Sequence, residues 1–153
     1  MSLPERPQLR PATEADIPAL LALRKQTMEA HMRASGADTS DAYHMAKLRK
    51  RYDQAQVLVE DGQVVGLFKA DREHAPWKVI QIQLAPELQG RGLGRALLLD
   101  FIQEARDAGH DVTLNVLKQN PARTLYERLG FVITGEEGTE YVMLLRQADV
   151  PMR

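Results

Sequence analysis

Apolar residues recur at helical spacing over the first part of the chain, which predicts an amphipathic helix that begins after Thr13 and ends near Met32. A second, strongly charged helix is predicted over residues 41–51. From residue 57 the pattern changes to short β-rich runs at 57–59, 64–68 and 77–84. Asp61-Gly62, between the first two runs, indicates a tight hairpin because such a turn needs positive φ.

The second half of the chain returns to alternating elements. After a glycine cluster, apolar residues from Leu97 to Ala105 share one helical face, and Gly109 is placed to end that helix. A strand follows at 112–116, then a helix that begins at Asn120-Pro121, then strands at 131–133 and 141–145. With an edge strand at 8–10, the order predicts an α/β fold. Its mixed, strongly twisted sheet has six or seven strands and is covered by four helices.

Composition limits the classes of protein to which the chain could belong. A length of 153 residues with 44% hydrophobic residues suits one domain spanning residues 1–153. A net charge of −1 argues against nucleic-acid and membrane-surface partners, which usually select a basic excess. The lack of cysteine excludes disulfides and thiolate metal sites and fits a cytoplasmic location. The sequence shows neither a signal peptide nor an apolar run of membrane-spanning length.

Three alternating glycines, Gly90, Gly92 and Gly94, lie between a predicted strand and a predicted helix. Glycine lets the backbone approach a ligand closely, and a helix N-terminus offers unpaired N–H groups and a partial positive charge. Arg91 and Arg95 add positive charge nearby. The cluster therefore has the chemistry of a pyrophosphate cradle. It fits neither the P-loop, which ends in Gly-Lys-Ser/Thr, nor the G-x-G-x-x-G dinucleotide fingerprint.

The segment from Leu84 to Gly94 resembles the acyl-CoA motif of the GNAT superfamily of N-acetyltransferases, Gln/Arg-x-x-Gly-x-Gly/Ala. The order of predicted elements matches that fold over nearly the whole chain. The resemblance implies that acetyl-CoA is the co-substrate. It also implies that the strand before the motif carries a bulge and splays from the next strand, with the pantetheine arm in the gap near Ile82 and Leu84. The implied pyrophosphate-binding residues are Gln89, Gly90, Arg91, Gly92, Gly94 and Arg95.

A second segment, from Asn120 to Phe131, resembles another signature of the superfamily, here N-x-A-x-x-L-Y-E-x-L-G-F. The resemblance assigns Tyr126 as the general acid that protonates the departing CoA thiolate, a task that suits a phenol held within hydrogen-bond reach. Asn120 is predicted to cap its helix and, by the resemblance, to bind the pantetheine or phosphate region. Arg123 is predicted to pair with Glu127 at the i,i+4 spacing.

The base that deprotonates the acceptor amine is unassigned by the sequence. Many relatives place a glutamate on the strand before the glycine motif, whereas this strand carries Gln81 and Gln83, which can orient water but do not accept a proton as a carboxylate does. The candidates are a water chain and three side chains of the first two helices. These side chains are Glu29, His31 and His44. The histidines show no paired ligand spacing, so no metal is predicted.

The expected reaction is direct acetyl transfer from acetyl-CoA to a primary amine of a small molecule or an amino acid. Two alternatives remain open at this point. One is a non-catalytic acyl-CoA sensor, and the other is an acetyltransferase that acts on a protein or tRNA. Homodimers are common for this architecture, although no residue of the sequence indicates one.

Overall fold

A computed structural model of the chain describes residues 7–34, 36 and 40–147, without the side chains of 28–34. The described residues form seven strands: β1 (Gln8–Pro11), β2 (Ala55–Glu60), β3 (Gln63–Asp71), β4 (Trp77–Leu84), β5 (Val112–Leu117), β6 (Val132–Glu137) and β7 (Glu140–Leu145). They also form four α-helices: α1 (Ile17–Ala34), α2 (Asp41–Arg49), α3 (Leu93–Asp107) and α4 (Ala122–Arg128).

The strands form one sheet in the order β1-β2-β3-β4-β5-β7-β6. Every neighbouring pair is antiparallel except β4 and β5, which are parallel and are connected through α3. The predicted α/β fold with a mixed sheet and four helices is therefore confirmed. The predicted hairpin is also present, because Asp61 and Gly62 have φ angles of 53° and 75° between β2 and β3.

Two consecutive residues of β3 show how the helices cover the sheet. Neighbouring side chains of a strand point to opposite faces. Phe68 packs edge-on against Phe101 of α3, with ring centroids 5.5 Å apart. Lys69 points the other way, and its Nζ donates to the carbonyls of Leu48 at 2.6 Å and Lys50 at 2.7 Å, at the C-terminal end of α2. The sheet thus lies between α3 on one face and α2 on the other.

The end of α2 differs from the prediction, which extended this helix to residue 51. The helix stops at Arg49, Lys50 takes an extended conformation, and Arg51 is left-handed with φ of 55°. The physical reason is Lys69, whose ammonium group satisfies the last carbonyls of the helix in place of another turn of backbone.

The middle of the sheet splits open. β4 and β5 are paired through three residue pairs, Trp77 with Val112, Lys78 with Thr113, and Val79 with Leu114. Just beyond them the register between β3 and β4 shifts, which makes Ile80 a bulge on β4. A bulge bends its strand and increases the local twist. The remainder of β4 therefore diverges from β5 and leaves a gap, called here the β4–β5 gap.

No helix among the described residues is long and apolar enough to cross a membrane. Fully buried apolar side chains fill both sides of the sheet. They include Leu20, Leu48, Leu67, Leu98, Phe101, Leu114 and Met143. This packing fixes β4 and α3, the two elements that position the site.

Candidate active site

The loop between β4 and α3 forms an open cradle of backbone. Gly90 and Gly92 both have positive φ, 82° and 75°, and a Cβ built on either would meet no atom within 4 Å. Gly92 is the N-cap of α3 and provides no side chain to cap the helix. The N–H groups of the first turn lack helical partners by geometry, so they are available to a ligand anion. Residues 89–95 are called the glycine loop below.

The glycine loop is attached to the end of β4 by its first residue. Gln89 donates from Nε2 to the carbonyl of Leu84 at 3.2 Å. A Cβ at Gly94 would lie 3.7 Å from the Leu84 side chain, an ordinary contact, so strand and helix start are adjacent. Arg91 and Arg95 are exposed, and Arg91 lies 4.0 Å from Glu60. The structure therefore brings the glycines, Gln89 and Leu84 together and leaves both arginine heads at the surface.

A cavity of about 270 Å³ occupies the β4–β5 gap. Ile82 and Gln81 are neighbours on β4 and point to opposite faces of the sheet, yet both line the cavity, so it reaches through the gap. Asn120 and Tyr126 line it as well, while Leu84 and the glycine loop lie outside it. The predicted residues consequently fall into two groups, one at the loop and one in the cavity.

Tyr126 contributes the phenol of the cavity. Its ring packs edge-on against Phe131, with centroids 6.1 Å apart, and its carbonyl accepts the Phe131 N–H at 3.1 Å. Burial raises the pKa of the Tyr126 phenol above its ordinary value of 10. The hydroxyl therefore keeps its proton at neutral pH and is a proton donor within the cavity.

Asn120 precedes α4, and its Oδ1 accepts the N–H of Ala122 at 2.9 Å. The predicted capping role is confirmed, although the regular helix starts two residues later, at Ala122. Because the carbonyl oxygen serves the cap, the amide nitrogen remains for a ligand in the cavity. The predicted ion pair between Arg123 and Glu127 is also present, at 3.1 Å.

Several charged groups of the cavity were missed by the sequence analysis. Arg24 of α1 lines the cavity although it is only 5% exposed. Glu137 and Glu140, from the hairpin between β6 and β7, line it as well, and Asn115 Nδ2 lies 3.1 Å from Glu137 and 3.4 Å from Glu140. Arg24 had a sequence signal, because it falls on the apolar stripe of α1. The two glutamates had none, because only the folded hairpin brings them to the gap.

The candidates for the base have different outcomes. His44 is fully buried, and its Nδ1 accepts a hydrogen bond from Arg24 Nε at 3.0 Å, so that nitrogen is already engaged. The side chains of Glu29 and His31 lie outside the described part of the structure. Gln83 is buried at 3% exposure, and neither of its carboxamide atoms has a hydrogen-bond partner among the described residues. The structure thus adds Glu137 and Glu140 as carboxylates in the cavity itself.

One acidic cluster lies away from this site. Oxygen or nitrogen atoms of Asp71, Glu73 and His74 all lie within 4.8 Å of one another. Arg51 already pairs with Asp71 at 3.1 Å and with Glu73 at 3.3 Å, which supplies positive charge to the cluster. The absence of a metal stays a prediction.

Residues 26–145 match the family model of the acetyltransferase (GNAT) domain. That match covers most of the chain. The chain belongs to the GNAT acetyltransferase family. The resemblance found at the glycine loop and at Tyr126 is therefore confirmed at the level of the family, and the roles of the individual residues remain predictions.

Curated relatives share parts of the chain. The L-amino acid N-acyltransferase MnaT of Escherichia coli is 44% identical over 57 residues, which cover 36% of this chain and 33% of that protein. The 5-NmdU N-acetyltransferase of Pseudomonas phage PaMx11 is 36% identical, covering 60% and 66%. The mycothiol acetyltransferase of Pseudarthrobacter chlorophenolicus is 34% identical, covering 85% and 44%. The chain thus spans between a third and two thirds of the length of these relatives.

Solved structures confirm the fold. The PaiA N-acetyltransferase of Thermoplasma acidophilum, solved in complex with coenzyme A, superposes with a TM-score of 0.71 at 17% identity, over 91% of this chain and 98% of that one. PH1933 of Pyrococcus horikoshii superposes with a TM-score of 0.72 at 20% identity, over 92% and 98%. At such identities the likeness concerns the fold alone.

Proposed function

We propose that this chain is an acetyl-CoA-dependent N-acetyltransferase that acts on a primary amine of a small molecule or an amino acid. The observation that carries the proposal is the β4–β5 gap. Its strand β4 connects the two parts of the site, because residues 78–82 line the cavity that contains Tyr126 and the end of the strand is bonded to the glycine loop at the uncapped start of α3. Membership of the GNAT family and the acetyl- or acyltransferase names of the relatives support the same reaction class.

The glycine loop fits the pyrophosphate of the co-substrate. Its N–H groups face a space into which no Cβ projects, and α3 adds its partial positive charge. Gln89 keeps the loop attached to β4 through Leu84, and Arg91 and Arg95 supply charge at the surface. Glycine is needed at positions 90 and 92 because left-handed backbone and close approach of the ligand coincide there.

The pantetheine arm would lie in the β4–β5 gap. Beyond Val79, the edge of β4 that faces β5 has no strand partner among the described residues, so its backbone groups can bond the arm. Ile82 offers an apolar contact inside the cavity, Leu84 one beside the glycine loop, and Asn120 an amide donor from the other side.

Tyr126 would act at the thioester. When the neutral amine attacks the acetyl carbonyl, a C–N bond forms, the C–S bond breaks, and the electron pair of that bond leaves on sulfur. Tyr126 donates its phenolic proton to this thiolate, and the proton lost by the amine returns to the Tyr126 phenolate through water, which restores the phenol. Glu137 and Glu140 are candidates to remove the first proton of an ammonium group, because both carboxylates line the same cavity.

Thermal unfolding with acetyl-CoA tests the proposal, with CoA, NAD and ATP as comparison ligands. A ligand at ~100 times its Kd stabilises a protein by about 2.7 kcal/mol, which corresponds to about 5–10 °C here. We expect this shift with acetyl-CoA and CoA alone, followed by amine-dependent thiol release. A shift without thiol release for any amine would indicate the non-catalytic sensor, and a shift with NAD or ATP instead would refute the assignment of the glycine loop.

A cytoplasmic location, a homodimer, and the lack of nucleic-acid and membrane partners remain predictions from the sequence. A protein acceptor is also known among relatives of the chain, since the [ribosomal protein bS18]-alanine N-acetyltransferase of Haemophilus influenzae is 32% identical over 75 residues. The modest volume of the cavity favours a small acceptor over a folded one.

A further inference from the structure

The lining of the cavity in the β4–β5 gap carries both charges. Its four cations come from α1, from α2 and its C-cap, and from β4, and they are called here the positive side: Arg24, Lys47, Lys50 and Lys78. Its two carboxylates, Glu137 and Glu140, come from the β6–β7 hairpin and are called the acidic side. A polyamine, which is cationic at neutral pH, would be repelled by the positive side, and a neutral amine without other charged groups would gain no Coulomb energy from it. The distribution of charge instead fits a molecule that is itself bipolar.

Arg24 is the most constrained of the four cations. Its Nε donates to His44 Nδ1 at 3.0 Å, and its guanidinium carbon lies 6.0 Å from the centre of the Tyr43 ring. No carboxylate forms an ion pair with Arg24 among the described residues. Burial lowers the pKa of Arg24 from its ordinary value, against the opposing charges of Tyr43 and Glu140. An arginine stays charged in proteins, so Arg24 is a buried cation of the cavity lining with no carboxylate of the described residues in contact.

Such a cation needs an explanation. Charged side chains are almost never buried unless they are paired, because removing an unpaired charge from water is costly. His44 accounts for one of the five N–H donors of the guanidinium, and the aromatic contact with Tyr43 at 6.0 Å is at the limit of its range. The remaining donors have no hydrogen-bond partner among the described residues.

The cavity lining also contains a neutral hydrogen-bond donor. Gln81 is a lining residue, and its buried Nε2 has no hydrogen-bond partner among the described residues. Arg24 and Gln81 come from α1 and β4, elements that pack against each other. The N–H donors of a guanidinium and of an amide are the groups from which a planar carboxylate accepts hydrogen bonds.

The acidic side is fixed by a single amide. Asn115 of β5 donates toward Glu137 at 3.1 Å and toward Glu140 at 3.4 Å, which holds both carboxylates at the cavity. Glu140 is half-buried and close enough to raise the pKa of Arg24. An ammonium group near Glu140 and a carboxylate at Arg24 can therefore belong to one small molecule.

We propose that the acceptor is an amine that also bears a carboxylate, an α-amino acid or a close analogue, and that Arg24 binds this carboxylate. Gln81 supplies a further hydrogen bond, and Glu140 draws the amine toward the acidic side. The inference rests on the proposed function, because a bound amino acid is an acceptor only if the chain transfers an acetyl group to it. The binding itself is independent of turnover.

Calorimetric binding of L-amino acids and of the matching L-amino acid amides, in the presence of CoA, tests the inference. An amide keeps the amine and side chain and loses the negative charge. Removing one partner of a buried charge pair costs about 2 kcal/mol or more, which is a factor of about 30 in Kd. We expect at least one amino acid to bind about 30-fold or more tightly than its amide.

Two variants locate the effect. Arg24→Gln should remove most of the preference for the acid over the amide, whereas Arg49→Gln, which removes an exposed positive charge of α2 outside the cavity lining, should keep it. Arg24→Lys keeps the positive charge but loses the pair of parallel N–H donors of the guanidinium. It should therefore reduce the ratio of the amide Kd to the acid Kd several-fold. If Arg24→Gln does not fold, the wild-type preference and Arg24→Lys decide the matter.

The inference is overturned if no amino acid binds better than its amide, or if the preference is the same in the Arg24 variants as in the wild type. Thiol release, measured on the same samples, tests the proposed function separately. Turnover of amides or simple amines without a preference for acids would keep the acetyltransferase and overturn the carboxylate site. A preference for acids without thiol release would do the reverse.

Discussion

The two ends of the candidate site are made of different parts of the chain. The glycine loop consists of backbone and is continuous in sequence, whereas the cavity consists of side chains from α1, α2, β4, β5, α4 and the β6–β7 hairpin. A backbone cradle requires glycine at fixed spacing, so it leaves a readable pattern. A cavity assembled from distant side chains leaves almost none.

This difference has a chemical counterpart. A phosphate-bearing co-substrate with constant structure can be bound by N–H groups and a helix dipole, which every sequence with the right turn provides. An acceptor must be distinguished from other amines, and that takes specific charges, the role proposed here for Arg24 and Glu140. The comparison predicts that changes at the loop affect co-substrate affinity and that changes in the cavity affect the chemistry and the acceptor.

The largest effect is expected at Tyr126, the proposed proton donor to the thiolate of the co-substrate. Tyr126→Phe removes the proton donor and keeps the ring that packs on Phe131. Steady-state thiol release should fall about 100-fold or more, while acetyl-CoA affinity stays within about two-fold. Tyr141→Phe, a half-buried tyrosine of β7 outside the cavity, is the control and should retain full turnover. Equal turnover of both variants would remove Tyr126 from the mechanism.

The sequence predicted the framework well for physical reasons. Hydrophobic spacing and turn signals located the seven strands and four helices, because most of these elements bury one face in the core, although β1 and β6 are largely exposed. It misplaced the end of α2, since the cause is a bond from Lys69 of a strand some twenty residues away. It located the glycine loop, Asn120 and Tyr126, because these lie in continuous motifs.

The acceptor side was less readable. Arg24 interrupts the apolar stripe of α1, and this interruption is a sequence signal that the prediction from spacing did not use. Lys47 and Lys50 lie at the end of the second, strongly charged helix that the sequence predicts, and they are exposed, yet they also line the cavity. Their position depends on where α2 ends over the β4–β5 gap, and this is a property of tertiary packing.

A second prediction concerns the strand behind the glycine loop. Gly66 of β3 faces Leu84, and a Cβ there would lie 2.9 Å from the carbonyl oxygen of Gln83. Since that atom is backbone, Gly66→Ala must push β4 away and should destabilise the fold by about 1–3 kcal/mol in denaturant titration. Gly135→Ala on β6 is the control, because its Cβ would meet nothing within 4 Å. Equal stability of the two variants would show that β3 and β4 are not so closely packed.

A third, smaller effect separates the loop from the cavity. Gly92→Ala places a side chain in the cradle at a φ of 75°, and we expect acetyl-CoA to bind about ten-fold more weakly, with unchanged thiol release at saturation. Gly62→Ala in the β2–β3 hairpin has the same φ of 75° and the same open surroundings, so it carries the backbone strain without the ligand. An equal loss of acetyl-CoA affinity in both variants would mean that backbone strain causes the loss and that the glycine loop does not bind the co-substrate.

The smallest expected effect tests whether the buried ammonium group of Lys69 stabilises the end of α2, which carries Lys47 and Lys50 of the positive side. Burial lowers the pKa of Lys69 to about 8, from 10.5 in the unfolded chain. At a pH between these two pKa values, the unfolded state binds more protons than the folded state. The free energy of unfolding should therefore rise with pH, by on the order of 1 kcal/mol from pH 7 to pH 9. Lys69→Met should lose this rise, although it is less stable at pH 7 because the carbonyls of Leu48 and Lys50 lose their donor. Lys78→Met removes a charge from a half-buried position on β4 and should keep the rise. A slope that persists in Lys69→Met would show that another group titrates, and that the end of α2 is not held by a buried ammonium group.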